Sequence, residues 1–203
     1  MNWKLAYKFG FHPWEDAATN PAFTEKISEL FAREEESQKP PYGKALDLGT
    51  GSGIWGIELA KRGWQVTGID IVKKALGRAR DRLESSDVDM RLVLGDVTTL
   101  REAEVGSGYR LILDTGTFHD LDNVQRKAMG REISAIAAPQ ATLFLLVWPE
   151  RKRPFIRGAS RSDIEKAFPG WKITDVEPSH FHLPKILEWL LRPDEHWYRL
   201  RRE

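Results

Sequence analysis

Ala45-Leu46-Asp47-Leu48-Gly49-Thr50-Gly51-Ser52-Gly53 is the stretch on which the reading of the fold depends. Its first part alternates as a short strand, Lys44 to Leu48, and a helix is expected from Ile54 to Lys61. Three alternate glycines lie between them, where the chain must turn sharply. Glycine accepts positive φ and lets the backbone approach a ligand with no Cβ in the way. The unpaired N–H groups that open the next helix then face whatever sits in the turn. Asp70 follows at the end of a second strand, Gln65 to Ile69, where a carboxylate can accept from both hydroxyls of a ribose.

Outward from this turn, strands and helices alternate. Helices are predicted over Lys73 to Leu83 and Asn123 to Ala138, the latter closed by Pro139. Strands are predicted over Met90 to Leu94, Tyr109 to Asp114 and Thr142 to Trp148. This rhythm calls for an α/β, Rossmann-like, doubly wound sheet that is mostly parallel, with helices on both faces. A short helix (Ser162 to Phe168) and two more strands (Trp171 to Glu177, His196 to Arg202) complete seven strands. Upstream, residues 1–21 read as an aromatic arm. Asn20-Pro21 then starts a helix that places Phe23, Ile27, Leu30 and Phe31 on one face.

Composition narrows the function classes. The chain has 203 residues, 41% hydrophobic, with 31 basic against 30 acidic residues and no cysteine. That length suits one domain, 1–203, and leaves little room for a separate recognition module. Balanced charge gives no global attraction to nucleic acid or membrane. No apolar run approaches the roughly 18 residues of a membrane span, and no signal-peptide core is evident, so a cytoplasmic protein is expected; the sequence is compatible with a monomer but does not fix the oligomeric state. Absent cysteines exclude disulfides and thiolate metal sites.

Two cofactors compete for the glycine turn. Gly51-x-Gly53-x-x-Gly56 matches a dinucleotide fingerprint, which keeps an NAD-dependent oxidoreductase in view. Asp47, two residues before the first glycine, instead suits a ligand with a cationic amino-acid end. Asp96-Val97, after the third strand, suits an adenine edge, and no Tyr-x-x-x-Lys hydride-transfer set is present. These features favour S-adenosylmethionine (SAM), with S-adenosylhomocysteine (SAH) as product. A SAM-binding domain without catalysis is a further alternative.

The runs Ala45 to Ile71, Leu92 to Val97 and Leu111 to Asp114 resemble the class I SAM-dependent methyltransferases in order and spacing. The resemblance implies a seven-stranded sheet whose last strand is antiparallel. It places the methionine end of SAM at Asp47, Gly49, Thr50, Gly51 and Gly53, ribose at Asp70, adenine at Ile71, Asp96 and Val97, and the reaction centre near Asp114. The usual Pro-Gly-Gly before the fifth strand is replaced by Ala138-Pro139-Gln140-Ala141, on the far side of the sheet. His12-Pro13-Trp14 resembles the Pro-Trp start of small-molecule methyltransferases related to the thiopurine and tellurite-type enzymes, so residues 1–36, Trp14 among them, are expected to cover the cofactor.

The acceptor side is read from the loops. His119, five residues past the fourth strand, can take a proton from an acceptor or orient a carboxylate; alternatively it pairs with Asp120 or caps the next helix. Phe118, Trp148 and Arg157 lie on the same loops, Arg157 in the basic run 150–157. Residues 178–195 form an apolar insert in which Phe181 and Trp189 are expected near the acceptor, the alternative being an amphipathic helix packed on the sheet. His180 and His182 lack further ligands, so no metal is expected. The expectation is a small, apolar acceptor. In overall plan the chain is similar to fatty-acid carboxyl methyltransferases, which implies O-methylation of a lipophilic acid. N- or S-methylation of a small aromatic molecule is the alternative.

Overall fold

The computed structural model describes residues 19–150, 157–180 and 194–203. In chain order these form α1 (Pro21–Glu35), β1 (Lys44–Leu48), α2 (Ile54–Arg62), β2 (Gln65–Asp70), α3 (Lys73–Glu84), β3 (Arg91–Leu94) and β4 (Tyr109–Asp114). A 3-10 turn, Phe118–Asp120, leads to α4 (Asn123–Ile136), β5 (Ala137–Val147), α5 (Arg161–Ala167), β6 (Trp171–Pro178) and β7 (His196–Arg202). Trp14, Phe181 and Trp189 lie outside the described residues.

All seven strands join one sheet in the order β3-β2-β1-β4-β5-β7-β6. β1 to β5 pair in parallel, and β7 runs antiparallel to both β5 and β6. Strand alternation divides the core into two clusters, one on each face. On β1, Leu46 and Leu48 point to the face covered by α4 and α5, whereas Ala45 points to the face covered by α1 and α2. β5 supplies both clusters, Leu143, Leu145 and Val147 to the first and Phe144 and Leu146 to the second. A strand buried on both faces needs this continuous apolar run.

Caps set the helix starts. Asn20 Oδ1 accepts from Phe23 N at 3.3 Å, with Pro21 at the first helical position. Asp122 with Gln125, and Ser160 with Asp163, form capping boxes for α4 and α5. The face predicted for α1 is the buried one, Phe23, Ile27, Leu30 and Phe31. Its polar side is tied across the sheet: Glu34 accepts from Thr142 Oγ1 on β5 (2.6 Å) and from Arg199 on β7 (2.7 Å), and Glu177 on β6 pairs with Lys26 (2.5 Å) and Arg33. Phe23 meets Trp55 and Trp197 at ring-centroid distances of 5.7 and 5.9 Å, whereas Glu35 meets Arg62 and Trp64 Nε1. Helix α1 therefore runs alongside α2, with its N-terminus at the end of the sheet where the β1 turn lies.

One boundary differs from the sequence expectation by more than a single residue. The fourth helix stops at Ile136 instead of Ala138, and β5 begins at Ala137 instead of Thr142. Pro139 disfavours helical backbone at the residue before it. Ala137 is already extended and pairs with Tyr109; the register then shifts so that Leu111 pairs with Thr142, and the intervening residues bulge around Gln140 at φ 57°.

Candidate active site

β1 and β4 are neighbours, but their connections leave toward opposite faces, β1 to α2 and β4 to α4. Such a switch point opens a crevice at the carboxyl ends of the strands. Three acids lie at or near these strand ends, and all are buried. Asp47, Asp70 and Asp114 are 1%, 8% and 0% exposed.

Asp47 lies under the glycine turn. Its Oδ2 accepts from Thr50 Oγ1 at 2.6 Å, while Oδ1 is buried and has no hydrogen-bond partner among the described residues. Burial pushes its pKa up to about 7, and the charges of Asp114 and Asp70 push the same way. The turn above it holds Gly49, Gly51 and Gly53 at φ 63°, 56° and 78°. Asp70 braces that turn, accepting from Gly51 N at 2.9 Å and from Val72 N at 2.8 Å; burial raises its pKa as well. Gly53 caps α2 with no side-chain bond.

The glycines have unequal tasks. A Cβ on Gly49 would lie 2.1 Å from Thr117 Oγ1, so the β1 turn and the β4 loop touch here. A Cβ on Gly56 would lie 2.4 Å from Met90 Cε, which makes Gly56 a helix-packing residue. Helix packing of that kind is common to SAM and NAD folds and does not separate them. Thr50 directs its hydroxyl to Asp47, and its N–H goes to Ile69 O at 2.9 Å.

Beside Asp70, Ile71 and Leu94 are large apolar side chains left 45% and 56% exposed. Leu94 was not singled out from sequence; its signal is its place as the last residue of β3, paired with Asp70. Asp96 folds its Oδ1 onto Thr98 N and Oγ1 at 2.8 and 2.7 Å, and Val97 belongs to the core cluster.

The loop after β4 is organised by Asp114, whose carboxylate accepts from Gly116 N (2.7 Å), Thr117 N (2.6 Å) and Phe118 N (2.9 Å). Burial holds its pKa up at about 7 despite these bonds. Phe118 is enclosed in the core, 5.6 Å from the Phe168 ring. His119 is buried, with Nδ1 3.4 Å from Leu146 O and 3.5 Å from Trp148 N at the end of β5. The protonation of Nδ1 decides which of the two it bonds. Trp148 is half-buried and Arg157 is exposed. Arg126, which sequence reading passed over, reaches this loop from α4. Among the described residues no group of three His, Asp or Glu is arranged to hold a metal ion, and no helix is long and apolar enough to cross a membrane.

Comparison with known proteins agrees with this layout. Residues 45–140 match the family profile described as a methyltransferase domain. The chain is 25% identical over 119 residues to the ribosomal RNA small subunit methyltransferase C of Alcanivorax borkumensis, covering 57% of this chain and 34% of that protein. It is 32% identical over 93 residues to the ubiquinone biosynthesis O-methyltransferase of Sinorhizobium fredii, covering 44% of this chain and 36% of the relative. The matched stretch is thus about a third of the length of either curated relative. The solved N-methyltransferase NodS of Bradyrhizobium japonicum, in complex with SAH, has the same fold: TM-score 0.74, 18% identity, covering 94% of this chain and 91% of that one. Residues 45–140 are thus similar to a methyltransferase domain, and the chain shares the fold of that solved N-methyltransferase.

Proposed function

We propose that this domain binds SAM at the β1 turn and transfers its methyl group to a small, apolar acceptor presented to the loop after β4. The observation that carries the cofactor reading is the buried Oδ1 of Asp47 beneath the glycines, unpaired among the described residues. A carboxylate there attracts an ammonium group and repels a pyrophosphate, which favours the amino-acid end of SAM over a dinucleotide. The exposed Ile71 and Leu94 offer apolar surface for adenine, and Asp96 a carboxylate for its edge. Asp70 presents its remaining lone pairs to the ribose hydroxyls while bracing Gly51.

Bound SAM supplies an electrophilic methyl on a sulfonium, a reaction centre that needs alignment and exclusion of water more than a strong base. Asp114 shapes the acceptor loop through its three backbone bonds, and His119 contacts the acceptor. For a carboxylate acceptor, already ionised at neutral pH, His119 orients and does not deprotonate. The specific acceptor we favour is a fatty acid, on the apolar composition of the 178–195 insert. Its two roots meet at the ligand end of the sheet, where Ser179 N donates to Glu195 O at 3.1 Å and Ser179 Oγ to Glu195 Oε1 at 2.8 Å. The N-terminus of α1 lies at the same end, which supports residues 1–36, with Trp14, as the covering segment.

A melting-temperature screen with SAM, SAH, NAD and NADP, repeated with medium-chain fatty acids, tests the reading. A rise with the adenosyl sulfur ligands and a further rise with fatty acid is expected. A rise only with NAD or NADP overturns it in favour of an oxidoreductase.

A further inference from the structure

We infer that Arg126 is a positioning residue that locks the loop after β4 to the loop after β5, and so fixes where His119 faces the acceptor. This rests on the acceptor-side role proposed above for His119. Arg126 is in the first turn of α4 and only 5% exposed. Its guanidinium lies 5.3 Å from the Phe118 ring centroid, over a side chain that is itself wholly buried.

The donors go to three separate pieces of chain. Nε donates to Phe118 O at 3.3 Å and Nη2 to His119 O at 3.1 Å, both in the 3-10 turn after β4. Nη2 also donates to Gly158 O, at the return of the loop that follows β5. That loop is closed at its neck, because Ala159 N donates to Trp148 O at 2.9 Å. Nη1 donates to Asn123 Oδ1 and pairs with Asp163 Oδ2, each at 3.3 Å, and Asp163 is the capping partner of Ser160 at the start of α5.

His119 thus has its main-chain carbonyl held by Arg126 and its ring held against Leu146 and Trp148 on the far side of the same junction. Asp114 organises the loop through its N–H groups, and Arg126 does so through its C=O groups. A cation buried in this way is costly unless several acceptors surround it, and here backbone carbonyls supply most of them. Only a planar, five-donor group spans these five acceptors at once; a lysine ammonium keeps the charge but carries three donors on a single atom and cannot reach them all.

The test is the imidazole signal of His119 in NMR spectra of the full chain. With five histidines, it is identified by its loss in His119→Ala. Arg126→Lys and Arg126→Met are compared with wild type, each free and saturated with SAH. The lock predicts that the His119 signal moves and that its titration midpoint shifts by about half a pH unit or more, with no rescue by lysine, while SAH affinity stays within roughly twofold. An unmoved His119 signal and titration in Arg126→Lys overturns the inference. So does a joint loss of His119 position and SAH affinity, which marks Arg126 as a general packing residue. Should Arg126→Met not fold, Arg126→Lys decides alone. Failure of wild type to bind SAH would sink the cofactor reading, yet the ligand-free spectra would still decide the role of Arg126.

Discussion

Replacing Asp47 by Asn should stabilise the free protein at neutral pH and at the same time weaken its hold on SAM. The carboxyl pKa rises on folding from 3.8 to about 7 because the group is buried. A raised acid pKa means that the native state binds the extra proton. The ionisation cost is therefore absent below the unfolded value, grows as pH rises between the two, and is fully present above about 7. At about 1.4 kcal/mol per unit the shift sets an upper limit near 4 kcal/mol, and relaxation around the charge leaves about 1–3 kcal/mol. In a domain of this size that is a gain of roughly 3–10 °C in melting temperature. Asn keeps an acceptor for the Thr50 hydroxyl but places an N–H₂ where Oδ1 stood, so the ligand's ammonium loses its counter-charge. Losing a hydrogen bond to a charged group costs about 1.5–3 kcal/mol, or roughly ten- to a hundredfold in SAH affinity by calorimetry. Melting curves from about pH 4 to pH 8 should therefore converge at the acid end and separate with the variant above wild type. A variant that melts below wild type at about pH 8, or that binds SAH normally, refutes the reasoning.

Other perturbations test neighbouring parts. Asp70→Ala removes the brace on Gly51 and the ribose acceptors, and should weaken SAH binding by about 1–3 kcal/mol; wild-type affinity in calorimetry would remove Asp70 from the site. Gly49→Ala adds a methyl 2.1 Å from Thr117 Oγ1 at a positive φ. It should cost about 1–3 kcal/mol in denaturant unfolding, partly recovered in the double variant with Thr117→Ala. Gly130→Ala drives a Cβ to 1.8 Å from Ala167 O where α4 crosses α5. That change should lower stability by about 1–3 kcal/mol or more while leaving SAH affinity per folded molecule unchanged, and a loss of affinity would contradict the separation of the two faces. Glu177, held by Arg33 and then Lys26 at a pKa of about 2 against 4.5, lends α1 stability that is present above about pH 4.5 and lost as pH falls toward 2. Glu177→Gln should abolish that part of the acid dependence in a melting-temperature series, and an unchanged acid limb would show that the pairing contributes nothing.

The order of strands and helices, the glycine turn and the acids at the strand ends were legible in the sequence because each is local. A strand alternates over a few residues, a cap lies within three residues of its helix, and Gly49, Gly51 and Gly53 mark a turn whatever the rest of the chain does. The boundary between α4 and β5 was less legible, since pairing with β4 draws Ala137 into the sheet and pushes Gln140 out as a bulge. The division of labour among the site residues was not legible at all. Sequence could not show that Thr50 serves Asp47, that Asp114 builds a loop through three N–H groups, or that Phe118 turns into the core. Nor does anything near Arg126 in the sequence mark it as the residue that joins His119, Gly158 and Asp163. Hydrogen bonding and desolvation at a buried site depend on what the whole fold brings within about 3 Å, and residues far apart in the chain meet there only once the sheet has formed.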